Sequence, residues 1–328
     1  MIRNVGLDLL KIWMCFEVIL CHFGQDNEYG LFALLFDKFR VLAVPVFMTL
    51  SFFFASNWLN TSLNMGKLRT RIMRIYIPMF VWAIIYFIIL GVILCQNVSW
   101  TKLLWQMTTG HSLNPAMWFN SVLIILTCLY FAIYKLAYNH TVIINVCLIV
   151  IAFLLEYKGI NAFFKTYRFE ISYPLGRLIE MIPYASGGLL LHKVVNALSK
   201  RKEYITIILI SIFLLEILLK RCYFIHLPIS KSFDYGGIAL LLRAVWIVAL
   251  FYIVPFDKCP DFIQIIIKNV AKYTMGIYCI HLLMGQVILE CDLTCSPFVL
   301  SIMIFAISYL VVFGISRLPI SGIQKIVE

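Results

Sequence analysis

The sequence predicts an all-α, polytopic membrane protein with about ten transmembrane helices. Among its 328 residues, 62% are hydrophobic and only 13% are charged, and the mean hydropathy is +0.94. Soluble domains carry about 25% charged residues. Many apolar stretches approach the length of about 20 residues that a helix needs to cross a bilayer. The net charge is +11. In a membrane protein such an excess of Lys and Arg is explained by cytoplasmic loops that contact lipid head groups, and the sequence contains no nucleic-acid-binding pattern. We therefore expect the lipid bilayer, and no nucleic acid, as a partner.

Ten segments are predicted to span the bilayer, near residues 5–23, 34–56, 72–95, 117–137, 141–156, 172–191, 204–220, 236–254, 270–289 and 297–316. Loops on one side of these segments are rich in basic residues, including Lys67, Arg69, Lys135, Lys193, Lys258, Lys268 and Lys272. Such loops stay in the cytoplasm, so both termini are predicted to be cytoplasmic. We expect one integral-membrane domain over residues 1–328, with no appended soluble domain.

The first predicted span contains GLDLLKIWMCFEVILCHFG, with Asp8, Lys11, Glu17 and His22 in an otherwise apolar helix. Each ionisable group near a bilayer centre costs about 2.5–3.5 kcal/mol on insertion scales. At 100° per residue, Lys11 and His22 share a face about 16 Å apart, and Asp8 lies within about 60° of them. Glu17 points elsewhere. The alternative to a functional polar stripe is an Asp8–Lys11 ion pair that orients the helix, with a hydrogen-bonded His22.

The third predicted span is preceded by a basic cluster, KLRTRIMRIYIPMF at residues 67–80. Arg71 and Arg74 are three residues apart and share a helix face, with Lys67 one turn before them. Such a cluster either sets membrane orientation or binds phosphate, because guanidinium groups pair with phosphate oxygens in a bidentate way. A polyphosphate such as the head of coenzyme A would suit it.

Two later spans also carry ionisable residues. In RLIEMIP, Arg177 and Glu180 are three residues apart and are predicted to pair across one helical turn. In KYTMGIYCIHLLMG, His281 lies in mid-span, where an imidazole is either a hydrogen-bonded packing residue or part of a reaction centre. The cysteines are scattered singly without a CxxC pair, so no metal site is predicted.

Four segments together resemble the acyltransferase type 3 family of bacterial inner-membrane proteins. They are GLDLLKIWMCFEVILCH, VPVFMTLSFFF, RIMRIYIP with its R-x-x-R-x-x-x-P pattern, and KYTMGIYCIH. MWFNSVLI and GRLIEMIPYASGGLLL fit more weakly. The resemblance extends over the whole chain in the family's order. It implies a multi-pass protein of the bacterial cytoplasmic membrane.

The resemblance also implies an activity. Such proteins are similar to O-acetyltransferases that take acetyl groups from cytoplasmic acetyl-CoA and pass them to cell-surface glycans or their lipid-linked precursors. Acetyl-CoA is then a co-substrate, and no cofactor is expected to be bound permanently. By position, His22 matches the family's essential histidine and His281 its late histidine. Arg71 and Arg74 match the arginine pair that holds acyl-CoA.

Two positions depart from the family's pattern. Lys11 stands where the family usually has Arg. The ammonium group of Lys is a point charge, whereas the guanidinium group of Arg is planar and donates two parallel hydrogen bonds. Phe52 follows Ser51 where the family usually has Gly, so the close backbone approach that Gly would allow is in question.

These residues suggest a mechanism. Lys11, Arg71 and Arg74 would hold the donor from the cytoplasm, and His22 would act on the acceptor hydroxyl as a base or a nucleophile. Asp8 and Lys11 would position polar groups near that route, and His281 would assist. One alternative is a transporter or flippase for a lipid-linked sugar or small anion, in which the polar stripe of the first span lines the path. Another is a protein without activity that only scaffolds other envelope enzymes.

Overall fold

The computed structural model shows a bundle of α-helices. It describes residues 4–23, 42–61, 63–93, 97–160, 163–164, 172–198, 202–223, 235, 237–290 and 296–319. Over these ranges the chain forms helices, turns and short connections, and no β-strand. The helices are α1 (Val5–Phe23), α2 (Ala43–Thr61), α3 (Met65–Ile88), α4 (Trp100–Thr109), α5 (Trp118–Leu136), α6 (Thr141–Tyr157), α7 (Ser172–Leu198), α8 (Lys202–Tyr223), α9 (Ile238–Ile253), α10 (Asp261–Lys272), α11 (Thr274–Leu289) and α12 (Pro297–Ser316).

The helices have the length and composition of a membrane protein. Four stretches of the described chain are long and apolar enough to cross a bilayer: Met65–Val92, Pro115–Leu136, Tyr138–Tyr157 and Pro297–Ser316. Shorter apolar helices occur at Glu203–Ile212, Ile238–Ile253 and Thr274–Leu289. Helices occupy most of the described residues in each of the ten predicted segments. The number of spans and the cytoplasmic placement of the termini stay predictions, since four helices of the described chain have the full length and composition of a span.

Several helix boundaries differ from the predicted ones. The second helix runs over Ala43–Thr61 rather than 34–56, and residues 34–41 lie outside the described chain. The third begins at Met65 rather than 72, because the side chain of Asn64 accepts a hydrogen bond from the Gly66 N–H and caps the helix. The seventh helix, α7, continues to Leu198, beyond the predicted end at 191.

Two short helices were not predicted. The segment predicted to span from residue 270 is broken at Tyr273, which separates α10 from α11. The twelve residues of α10 extend about 18 Å, too short for a bilayer core of about 30 Å. α10 exposes Phe262, Ile265 and Ile266 while burying Ile267, a pattern typical of a helix lying at a membrane surface. α4 is shorter still.

Two adjacent glycines set the packing at the centre of the bundle. α2 packs along α7 more extensively than any other pair of described helices. A Cβ on Gly188 would overlap the Thr49 carbonyl oxygen and lie 3.0 Å from the Phe53 nitrogen, and one on Gly187 would crowd α9. Small residues allow such backbone approaches between membrane helices. The close approach of α2 and α7 therefore depends on Gly188 of α7, since α2 has Phe52 where the family usually has Gly.

Replacing Gly188 should therefore disrupt the bundle. We expect Gly188→Ala to destabilise the protein by about 1–3 kcal/mol or more, because the added methyl group meets backbone that cannot rotate away. Gly314→Ala is the matched control, since nothing lies within 4 Å of a Cβ at Gly314 on α12. Thermal unfolding of the detergent-solubilised variants measures both. Equal unfolding temperatures for the two variants would contradict this account of the α2–α7 contact.

Candidate active site

Two histidines from opposite ends of the sequence meet in the bundle. His22 stands in the last turn of α1 and His281 in the middle of α11, with ring centroids 5.3 Å apart. Gly285 allows this approach, because a Cβ there would collide with the ring of Phe23. His281 is fully buried and His22 is exposed. The pair therefore has one sheltered and one accessible imidazole.

The hydrogen bond of His281 defines its tautomer. Its Nδ1 lies 2.7 Å from the carbonyl oxygen of Tyr278. A carbonyl can only accept, so Nδ1 donates, and in the neutral ring Nε2 then carries the lone pair. Nε2 is buried and has no hydrogen-bond partner within the described part of the chain. An imidazole in this state can accept a proton or act as a nucleophile.

Neighbouring elements contact α11 on either side of His281. The hydroxyl of Tyr86 on α3 accepts from the Leu283 N–H and donates to the Cys279 carbonyl, both at 3.1 Å. Asn114 donates to the same carbonyl at 3.0 Å. The Leu283 N–H and the Cys279 carbonyl face each other across one turn of α11, so the Tyr86 hydroxyl bridges them from outside the helix. This bridge couples α3 to the helix that carries His281.

Local structure explains the position of Asn114. The buried side chain of Gln106 on α4 accepts hydrogen bonds from the N–H groups of Ser112 and Asn114, each at 2.9 Å. The Asn114 side-chain oxygen accepts from the Ala116 N–H at 2.9 Å and caps the short 3₁₀ turn over Pro115–Met117. α4 thus orders the loop that supports α11.

A cavity of about 200 Å³ lies beside His22. We call it the histidine cavity. Its lining comes from α1, α2, α5, α7, α11 and the segments before α5 and α9: Val18, Cys21, His22, Ala43, Val44, Pro115, Ala116, Trp118, Tyr173, Arg177, Tyr235 and Tyr278. A concave, aromatic-rich lining with a few polar groups is typical of a small-molecule site.

Arg177 stands in the wall of the histidine cavity. Its Nη1 lies 2.8 Å from Glu180, with both residues buried, as their spacing predicted. Its Nε and Nη2 donate to the Tyr173 hydroxyl at 3.2 and 2.9 Å. The guanidinium also lies over the rings of Trp118, Tyr173 and Tyr235, at 4.8–5.2 Å from their centroids. Ion pairing and cation–π contacts together fix this wall.

The structure separates the predicted polar stripe of α1 into two places. Asp8 is buried and pairs with Lys11 at 3.0 Å, and the Lys11 ammonium lies 5.4 Å from the ring centroid of Phe54. His22 follows Asp8 by fourteen residues, about 21 Å along the helix axis. Asp8 does not line the histidine cavity, so a direct catalytic role for it stays a prediction. Glu17, on another face, accepts from the Trp13 indole at 2.7 Å.

Arg71 and Arg74 occupy different environments. Arg71 turns into the bundle and donates to the Ser51 carbonyl (3.0 Å), the Ser51 hydroxyl (2.7 Å) and the Thr127 hydroxyl (3.3 Å). Its guanidinium also faces the ring of Phe52 at 5.7 Å. Arg74 is exposed. The first turns of α3, including Arg69, also line a shallow depression of about 490 Å³.

Helix geometry gives the separation between Arg71 and the histidine cavity. On α5, Trp118 lines the cavity and Thr127 contacts Arg71, and these residues are about 13 Å apart along the axis. On α2, Val44 lines the cavity and Ser51 contacts Arg71, which corresponds to about 10 Å. The guanidinium and the cavity thus lie at different depths of the same bundle.

Several residues of the site were not predicted. Trp118, Tyr173 and Tyr235 were not singled out, because an aromatic residue in an apolar segment has the same pattern whether it packs or lines a cavity. Tyr86 and Asn114 were missed for a different reason: their partners lie on α11, far along the sequence. The weak resemblance of MWFNSVLI to the family was the available signal for Trp118, and no quoted segment contains Tyr173 or Tyr235.

The comparisons with known proteins concern the whole chain. A family model described as an acyltransferase domain matches residues 4–318 and so includes both histidines, Arg71 and the cavity. No curated protein and no solved structure matched the chain. Because the matched residues are nearly the entire sequence, the chain belongs to the acyltransferase type 3 family.

Proposed function

We propose that the protein transfers an acyl group, acetyl in the simplest case, from cytoplasmic acyl-CoA to a sugar hydroxyl. The acceptor would be an extracytoplasmic or lipid-linked glycan in bacterial polysaccharide biosynthesis or modification. The observation that carries the proposal is the histidine pair beside a cavity, with the unpaired Nε2 of His281 behind the accessible ring of His22. Membership of the acyltransferase type 3 family supports acyl transfer as the reaction class.

The chemistry needs a base at the acceptor hydroxyl. In the proposed reaction the thioester C–S bond breaks and a C–O ester bond forms. The hydroxyl proton passes to imidazole and then to the departing thiolate, so that the products are the glycan ester and CoA thiol. Neutral imidazole suits this transfer near physiological pH. His22 lines the cavity and would act on the acceptor, and His281 would provide a second, sheltered base.

The donor would enter from the end of the bundle where α3 begins. Arg74 is exposed there, and Arg71 reaches inward between α2 and α5. Their guanidinium groups, with Lys11, would hold the phosphates of CoA. Asp8 would act by orienting Lys11. The flexible arm of CoA would then extend the remaining distance of about 10–13 Å towards the histidine cavity.

The acceptor would enter the histidine cavity from the opposite end. Its wall of Trp118, Tyr173 and Tyr235 is fixed around Arg177. A rigid aromatic wall with few polar groups can orient a sugar so that one hydroxyl reaches His22. On the predicted topology this end of the bundle is extracytoplasmic.

Loss of the accessible imidazole should abolish the reaction. We expect His22→Ala to lower transfer of labelled acetyl from acetyl-CoA to membrane glycans by about 10²–10⁴-fold, the usual effect of removing a general base. His140→Ala is the control, because His140 is an exposed residue before α6. Vesicles that contain each variant at equal amounts provide the measurement.

The same vesicles test the alternative activities. Full acetylation by His22→Ala would contradict the assignment of His22. Movement of a lipid-linked sugar across the membrane without acetylation would favour a transporter or flippase.

Removal of the exposed guanidinium should weaken donor binding selectively. We expect Arg74→Ala to raise KM for acetyl-CoA by about 10- to 150-fold, because a hydrogen bond to a charged group contributes about 1.5–3 kcal/mol. The maximal rate should change little. Lys135→Ala, a loss of an exposed cation at the end of α5, should leave KM within about twofold at the same ionic strength, as expected of a surface charge. An unchanged KM for Arg74→Ala would argue against a phosphate site at Arg74.

A further inference from the structure

Asn120 on α5 presents an unpaired amide in the interior of the bundle. Its exposed fraction is 0%, and neither Oδ1 nor Nδ2 has a hydrogen-bond partner among the residues that the structure describes. Buried side-chain polar groups nearly always have partners, so each exception calls for an explanation such as a ligand. An Asn side chain offers both an acceptor and a donor.

Asn120 lies at an intermediate depth on α5, on the side of the helix that contacts Arg71. It follows Trp118, which lines the histidine cavity, and Phe119, whose ring lies 6.1 Å from that of Tyr278. Thr127, which contacts Arg71, lies seven residues later. Seven residues correspond to almost two full turns, so Asn120 and Thr127 share one face of α5 about 10 Å apart. Asn120 thus lies between the level of Arg71 and that of the cavity.

A second helix also buries an unpaired polar group at a similar depth, on a different face from its Arg71 contact. On α2, Thr49 lies between Val44, which lines the histidine cavity, and Ser51, which contacts Arg71. Thr49 is fully buried, and its hydroxyl also has no hydrogen-bond partner over the described ranges. Two helices that line the cavity and contact Arg71 therefore each bury an unpaired polar group at an intermediate depth.

We infer that Asn120 binds an amide group in the arm of the acyl-CoA donor. This inference rests on the proposed function and adds a residue that recognises the arm between its phosphates and its thioester. An amide in the arm has one N–H donor and one carbonyl acceptor, and the Asn120 side chain complements both. The pairing places the thioester at the histidine cavity while Arg71 and Arg74 hold the phosphates.

The test compares two small donors that differ in one group. S-acetyl-N-acetylcysteamine carries an amide next to its thioester, whereas S,O-diacetyl-mercaptoethanol has an ester oxygen in place of the amide N–H. Both are supplied with labelled acetyl groups to vesicles that contain the full chain and their own glycans. We expect the unmodified protein to prefer the amide donor in kcat/KM by about 2- to 12-fold, the effect of one hydrogen bond.

Asn120→Leu, of similar size but without polar atoms, should abolish this preference. It should leave the heat stability in detergent equal or higher, because an unpaired amide is removed from the core. Asn120→Ala is measured alongside, since it cannot introduce a clash. Asn145→Leu is the control: Asn145 is also a buried amide, but it lies on α6, where it donates to the Thr141 carbonyl. It should keep the preference.

The outcomes separate the two proposals. An equal loss of rate with both donors in Asn120→Leu and Asn120→Ala, or a preference that survives in both, would overturn the role of Asn120 while leaving acyl transfer in place. Absence of transfer by the unmodified protein from acetyl-CoA and from both small donors would overturn the proposed function and, with it, the role of Asn120.

Discussion

The contact of the Tyr86 hydroxyl with two backbone groups of α11 is the interaction on which the geometry of the site depends. In a membrane every backbone N–H and C=O must find a partner inside the protein. Tyr86 satisfies both groups of the Leu283–Cys279 pair, with Asn114 as a second donor to Cys279. Because Tyr86 belongs to α3, the helix that presents Arg71 and Arg74 also determines where His281 stands.

Most buried charges of the described chain are paired or hydrogen-bonded close to where they stand. Asp8 pairs with Lys11, Arg177 with Glu180, and Arg71 is held by neutral oxygens of α2 and α5. Pairing within one or two turns of a helix meets the cost of placing ions in an apolar bundle. The buried Nε2 of His281, by contrast, has no hydrogen-bond partner among the described residues.

Much of the local structure could be predicted from the sequence because the deciding forces act over a few residues. Apolar segment length indicated the helices, and i,i+3 spacing indicated the Arg177–Glu180 pair. Boundaries were predicted less well where a side chain ends or breaks a helix, as at Asn64 and Tyr273. The short helix α10 was missed because Lys268 and Lys272 indicated a basic loop between two spans. Resemblance to the family singled out His22 and His281 separately.

The sequence by itself determined that this chain forms apolar helices with ionisable residues at defined positions, since periodicity and composition are local properties. Only the tertiary structure decided which of those residues meet. It joined His22 to His281 and brought the rings around Arg177 together from three separate segments. These contacts depend on close helix approaches at Gly188 and Gly285, and spacing along one helix carries no information about its neighbours.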